Sequence, residues 1–389
     1  MAGVARKKLQ GVTVYNKKKA FKGYTLITPF WWQDEVYLID MEGRVVQFWK
    51  LPLRPGDVAF LLDNGNLFYP ARFDNNFWNE FIGGSGSDLL EVDWDNNIVW
   101  KYRDLYTHHT MCRLKNGNTM ILRFVPMPLD ISNKVKGGRP GTEADGKMMW
   151  TDGLHEITPE GEIVWKWLAY EHLDTELDCI CPLESRFEWT HCNTVKEFDN
   201  GDILLSFRVT NTIVKIDRKT GEVKWRWGRG EVYHQHDPSI LDNGNILLFD
   251  NGCHREDSYL SYSRVIEVDP STNRIVWEYK DNPPTEFYSA LCSSAQRLSN
   301  GNTLINECDF GRSFEVTREG ELVWEYVSPF YTTIIGSAMM ENSELGKNNM
   351  VHRSTRYAPD FPGFKGKDLN SDKWKMLNAV YGPKTFAKT

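Results

Sequence analysis

The stretch Ile240-Leu241-Asp242-Asn243-Gly244-Asn245-Ile246-Leu247-Leu248 sets two short apolar runs on either side of an Asn-Gly pair. Asn-Gly supplies the positive φ that a tight hairpin loop demands, so the stretch reads as a β-hairpin. The same turn recurs at Asn64-Gly65, Asn116-Gly117, Asn200-Gly201 and Asn300-Gly301. A second signal alternates with it. Trp49, Trp100, Trp165, Trp225, Trp277 and Trp324 each end a strand such as Arg274-Ile275-Val276-Trp277, usually just after a Gly, Asn or Asp turn. Two hairpins in each period of roughly 45 to 65 residues is the pattern of four-stranded propeller blades.

Six tryptophan strands against five Asn-Gly hairpins imply how the repeat closes. The first tryptophan strand, Arg44 to Lys50, and the strand before it, Val36 to Met41, precede any Asn-Gly turn. Their inner partners are therefore expected from the C-terminal segment around Ile334 to Tyr357. The fold expected is all-β: a six-bladed β-propeller over residues 23–357, one blade shared between the N- and C-terminal segments. A polar leader (1–22) precedes it and an irregular cap (358–389), rich in Lys, Pro and Gly, follows. At 389 residues, length alone would suggest two or three domains, but a closed repeat makes one. The Asn-Gly turns and tryptophans read as structural, the former for their backbone conformation and the latter as filling between blades.

Composition excludes some functions. A formal net charge of -7, with no Lys/Arg-rich run to offset it, argues against a nucleic-acid partner. No segment approaches the about 18 apolar residues of a membrane span, and the basic start Met1 to Lys8 lacks the apolar core of a secretion signal, so a cytoplasmic location and no membrane partner are expected. Seven irregularly spaced cysteines fit reduced thiols, and Cys179 and Cys181 read as loop thiols. Two longer excursions interrupt the repeats, Phe124 to Thr151 and Leu168 to Glu188; a third, Phe73 to Asp88, is aromatic and glycine-rich. Such loops read as lids or excursions.

Register carries the functional reading. Counting back seven residues from each turn asparagine gives Asp57, His109, Asn193, His236 and Ser293, all polar where an innermost strand should begin. Counting forward eight gives Arg72, Phe124, Arg208, Asn251 and Cys308, with Arg123 and Asp250 one earlier. The start of the first strand and the end of the second are the open end of one hairpin, so these residues should face one mouth of the propeller. His191, two residues before Asn193, shares its side of the strand. The expected site is His109, His191, Asn193, Arg208 and His236, with Arg123, Arg264 and Arg356 contributing from the rim. One histidine beginning a strand is usually a hydrogen-bonded structural residue; three in matching or adjacent register argue for a shared site.

Thr190-His191-Cys192-Asn193 with Ser206-Phe207-Arg208, Gln235-His236-Asp237, Asp250-Asn251-Gly252, Ser263-Arg264 and Trp225-Arg226-Trp227-Gly228 resembles the arylsulfate sulfotransferase family of six-bladed propellers. The resemblance spans most of the chain and is strongest from His191 to Trp324. It implies sulfuryl transfer from one phenol ester to another phenol without a nucleotide sulfate donor or other cofactor. It further implies that His236 is the sulfurylated histidine, and that His109, His191, Asn193 and Arg208 surround the sulfuryl group. Elementary chemistry fits: a monoanionic sulfate ester needs several converging donors, and an imidazole is an adequate nucleophile near neutral pH. The partner so implied is a small aromatic or anionic molecule; oligomeric state is not legible. Two other readings stand beside this one. His109, His191 and His236 could hold a divalent metal ion in a lyase or hydrolase, or the propeller could be a non-catalytic binding scaffold.

Overall fold

In a computed structural model the chain is an all-β, six-bladed β-propeller. The structure describes residues 9–383 apart from 31–32, 57, 73–85, 87, 145, 147 and 334–346. Asp57, most of the Phe73 to Asp88 loop and the stretch 334–346 therefore lie outside the described residues.

The chain divides into two compact units, each holding three of the four-stranded blades. The first unit comprises Met1–Arg103 and Cys292–Thr389. Its first blade runs, from inner to outer strand, Val351–Tyr357, Tyr24–Pro29, Glu35–Ile39 and Val45–Lys50. The C-terminal strand thus supplies the innermost position for an N-terminal blade, pairing antiparallel from Tyr24 with Tyr357 to Pro29 with Val351. The second blade is Phe60–Leu61, Leu67–Ala71, Asp88–Val92 and Ile98–Arg103, and the sixth is Ser294–Arg297, Thr303–Glu307, Arg312–Val316 and Leu322–Val327. Gly11–Tyr15, expected as part of a leader, adds a fifth strand to the sixth blade by pairing with Leu322–Val327. Residues within 359–383 pack on the first two blades: Phe364 joins a core with Trp49 and Trp94, and Trp374 Nε1 donates to the Val46 carbonyl at 3.1 Å.

The second unit, Asp104–Leu291, holds the third blade (Thr107–Arg113, Thr119–Pro126, Trp150–Ile157, Ile163–Leu168), the fourth (Cys192–Glu197, Ile203–Phe207, Thr212–Ile216, Val223–Trp227) and the fifth (His236–Ile240, Ile246–Asp250, Arg264–Asp269, Arg274–Tyr279). The two excursions of this unit are knit together. Gly137–Arg139 pairs in parallel with Ile180–Ser185, and Arg186 binds the Glu143 carboxylate at 2.7 Å and the Val135 carbonyl at 3.1 Å.

Why the repeat folds this way is visible in its turns. Asn64 Oδ1 accepts the Asn66 N–H at 2.9 Å, closing the turn, and the amides of both residues donate to Glu91 on the third strand at 3.2 and 2.7 Å. The arrangement repeats with Asn116 and Asn118 on Glu156, and with Asn243 and Asn245 on Glu267. In the sixth blade Asn302 meets Glu315 at 2.6 Å. The fourth blade inverts the charges: Asp202 replaces the second asparagine, and Lys215 stands at the glutamate position with its Nζ 3.2 Å from Asp202. Glycine at the turn has φ of 85° at Gly65 and 83° at Gly244, the left-handed region a Cβ disfavours.

The tryptophans bind neighbouring blades within each unit. Indole N–H groups donate across to the next blade's outer turn: Trp49 to the Asp93 carbonyl at 3.2 Å, Trp167 to Gly221 at 3.0 Å, Trp225 to Asn273 Oδ1 at 2.8 Å and Trp324 to Met41 at 3.0 Å. Each such ring fills apolar space while its one polar atom is satisfied. Facing strands bury Leu, Ile and Val between blades, as in Leu205, Val214 and Ile216 packed with Leu122 and Leu154. No helix among the described residues is long and apolar enough to cross a membrane.

Candidate functional site

The second unit brings histidines from three consecutive blades together where their first strands begin. His109 is the third residue of the third blade's first strand, His191 stands just before the fourth blade and His236 opens the fifth. His109 and His191 lie edge to face with ring centroids 4.5 Å apart. Arg208 belongs to the same hairpin end as His191, whose carbonyl accepts its backbone N–H at 3.1 Å. The ladder is bulged at each entrance, between Ile121 and Arg123, Cys192 and Thr194, and His236 and Ser239. His109, His191, His234 and His254 all have φ between 52° and 59°. Left-handed backbone at a non-glycine residue is strained, and such residues and bulges gather at functional sites.

His236 is buried, and its Nδ1 lies 2.7 Å from Asn251 Oδ1 and 3.0 Å from the His234 carbonyl. The Asn251 amide nitrogen is committed to the Ser289 carbonyl at 2.8 Å, so its oxygen faces the imidazole. Two acceptors at Nδ1 assign the proton to that nitrogen and leave the lone pair on Nε2. Burial, then the Arg208 and His191 charges, push His236 down to about 3, which keeps the ring neutral throughout the physiological range.

Around this imidazole the other histidines are held by carboxylates. His191 Nδ1 sits 2.6 Å from Glu188 Oε1. His109 Nδ1 is 2.9 Å from His108 Nδ1, and His108 Nε2 is 2.9 Å from Asp152 Oδ1. Asp152 is itself fixed by the Cys192 N–H at 2.8 Å, and Phe124 stacks on His108 with centroids 4.0 Å apart. Arg208 Nη1 meets Glu184 Oε1 at 3.1 Å. Burial disfavours the Glu184 charge, yet Arg208, followed by His191 and His254, holds the carboxyl below its ordinary range.

Of the residues expected from sequence, His109, His191, Arg208 and His236 are brought together. Asn193 is adjacent but buried, and it is engaged within the protein: its amide donates to the Gln235 carbonyl at 2.8 Å and accepts from Thr194 at 3.1 Å, tying the fourth blade to the fifth. The three rim arginines are placed otherwise. Arg123 is paired with Asp104 at 2.9 Å and lies over the Tyr106 ring. Arg264 is divided between Asp250 and Glu278, each at 2.8 Å, and burial does not overcome the two carboxylates, which raise its already high pKa further. Arg356, in the first unit, is fully buried between Thr25 Oγ1 at 2.6 Å and Glu315 at 3.3 Å, over the Trp324 ring. All three are tied into ion pairs, and of the carboxylates that hold them register counting reaches only Asp250.

Metal-ligating geometry also falls elsewhere than expected. The imidazoles of His109, His191 and His236 turn Nδ1 toward His108, Glu188 and Asn251 respectively. Among the described residues the grouping of His, Cys, Asp and Glu donors within 4.8 Å of one another is Cys181, His234 and His254. Glu188, His108, Asp152 and Glu184 escaped the register count. Asn251 stood at a counted position, and the carboxylates come from other strands and from the Leu168 to Glu188 excursion.

The blade entrances gather buried imidazoles, an arginine and orienting carboxylates on a six-bladed β-propeller, and that is the class of protein the fold and site define. Within that class, the chain belongs to the arylsulfotransferase (ASST) family, whose model matches residues 87–329. No curated protein matches it. Among solved structures, a protein of unknown function from Bacteroides caccae is similar at 14% identity and a TM-score of 0.53, over 86% of this chain and 98% of that one. A putative 6-phosphogluconolactonase from Bacteroides fragilis is 9% identical at a TM-score of 0.46, over 88% of this chain and 99% of that one. A virginiamycin B lyase from Staphylococcus aureus is 13% identical at a TM-score of 0.41, over 77% and 83%. These similarities are of fold alone.

Proposed function

We propose that the protein transfers a sulfuryl group from an aryl sulfate to a phenol through a sulfo-histidine at His236, without a nucleotide sulfate. The observation that carries this is the pinning of His236 Nδ1 by Asn251 and the His234 carbonyl. The Nε2 lone pair attacks sulfur, the S–O(aryl) bond breaks, and the electron pair leaves on the phenolic oxygen. His191, oriented by Glu188, donates a proton to that oxygen, since a phenolate of conjugate-acid pKa about 10 leaves more readily when protonated. In the second half the neutral His191 takes the acceptor phenol's proton, the phenolic oxygen attacks sulfur, and the N–S bond breaks to restore neutral His236. An imidazole of depressed basicity is unprotonated when attack is required and departs readily afterwards. Arg208 neutralises charge on the equatorial oxygens, as a guanidinium fork suits. The substrate is thus a small aromatic anion, and the site needs no cofactor for this step.

Initial-rate kinetics with nitrophenyl sulfate and a second phenol test the reading. Two half-reactions sharing one covalent state give parallel double-reciprocal lines. Intersecting lines, or turnover that disappears with a chelator and returns with metal, would reject it in favour of a metal-dependent reaction.

A further inference from the structure

We infer that Cys181, His234 and His254 form a binding site for a zinc-like transition-metal ion, with Glu184 as the fourth donor. The three side chains come from separate parts of the second unit: the Ile180–Ser185 strand of the excursion, the position two residues before the first strand of the fifth blade, and the loop after its second strand. Their donor atoms lie within 4.8 Å of one another, and Cys181 Sγ is already 3.5 Å from His254 Nδ1. The His234 and His254 rings stand edge to face with centroids 4.8 Å apart. Glu184 Oε1 is 3.3 Å from His234 Nδ1 and 3.9 Å from His254 Nδ1.

A second observation points to a ligand. His234 is completely buried; its Nε2 makes no hydrogen bond among the described residues, and its Nδ1 has the Glu184 carboxylate 3.3 Å away but out of hydrogen-bond alignment. A buried imidazole so placed costs about 1–3 kcal/mol, which a metal–nitrogen bond removes. His234 and His254 also hold φ of 59° and 57°, strain that a shared ligand would explain.

The donor set selects the ion. One thiolate, two imidazoles and a carboxylate suit a borderline-soft ion and not calcium or magnesium, which take oxygen ligands. Zinc bonds of about 2.0–2.3 Å place tetrahedral donors roughly 3.3–3.7 Å apart, so Cys181, His234 and His254 close on the ion with side-chain movements of about an ångström, and Glu184 moves in beside the two imidazoles. The ion would clamp the excursion to the fifth blade. Because Glu184 also holds Arg208 at 3.1 Å, it would set where that guanidinium points. The site stands on its own geometry and does not depend on the reaction assigned to His236.

The test uses the full chain, stripped with a chelator and titrated with Zn²⁺ and with Co²⁺. One equivalent should bind, and the cobalt form should show the intense visible bands of a tetrahedral site with a near-ultraviolet thiolate charge-transfer band. Cys181→Ser should abolish that band, His254→Ala should weaken zinc at least a hundredfold, and Cys179→Ser should change neither. Should Cys181→Ser fail to fold, zinc must still protect Cys181, but not Cys179, from alkylation in the unmodified sequence. Substoichiometric binding, a weak octahedral cobalt spectrum, a charge-transfer band surviving in Cys181→Ser, or equal alkylation with and without zinc would each overturn the proposal.

Discussion

At the scale of residues, His236 is an imidazole kept neutral by its surroundings. Folded His236 titrates at about 3 against an ordinary value of 6.5, so as pH falls below 6.5 the unfolded chain takes up a proton that the folded one refuses. Its contribution to stability is complete above pH 6.5 and is lost as pH falls toward 3. Urea unfolding across that window should show stability declining with acid, and His236→Gln should have a shallower slope by up to about 1.4 kcal/mol per pH unit. An unchanged slope would mean that His236 is solvated. His236, His191 and His109 were legible because they stand at or beside strand starts fixed by the Asn-Gly register. Glu188 and Glu184 were not, since they come from an excursion that has no register. Asn251 was counted, but its role depends on which way its amide is turned, and that is set by the Ser289 carbonyl, 38 residues away.

At the scale of elements, five of the six blades are held by a clamp between an Asn-Gly turn and a third-strand residue. Sequence reading found the turn because Asn-Gly is a local signal; it passed over Glu91, Glu156, Glu267 and Glu315 because the clamp is non-local. The inverted pair in the fourth blade offers a direct test. Lys215→Glu places a carboxylate against buried Asp202 and should destabilise by about 1–3 kcal/mol, while adding Asp202→Asn, which rebuilds the arrangement of the other blades, should recover most of the loss. Chemical denaturation of the four members of this cycle reads the coupling. Additive effects would show that Lys215, which also lies over Phe198, acts through that ring instead.

At the scale of the whole molecule, the sharing of one blade between the chain's two ends followed from the unequal numbers of tryptophan strands and Asn-Gly turns. Val351–Tyr357 pairing with Tyr24–Pro29 is the result. The part assigned to Arg356 in that strand was not legible, because a buried arginine and an exposed one look alike in sequence. Its guanidinium links the C-terminal strand to Thr25, the Phe21 carbonyl and Glu315. Arg356→Ala leaves Glu315 buried without its cation and should cost about 3–5 kcal/mol by denaturation, while the KM for an aryl sulfate stays unchanged where the variant is folded. A raised KM at full stability would return Arg356 to the substrate. Gly11–Tyr15 shows the complementary limit: a strand outside the repeat period, read as leader, is recruited by the open outer edge of the sixth blade.

The central claim, covalent catalysis at His236, is tested most directly by the intact mass of the protein quenched after mixing with nitrophenyl sulfate in the absence of acceptor. A species heavier by one sulfuryl group should form with a stoichiometric burst of nitrophenol, map to the peptide containing His236 and be absent from His236→Ala. Turnover by the unmodified sequence with no such adduct, or an adduct that persists in His236→Ala, would contradict it.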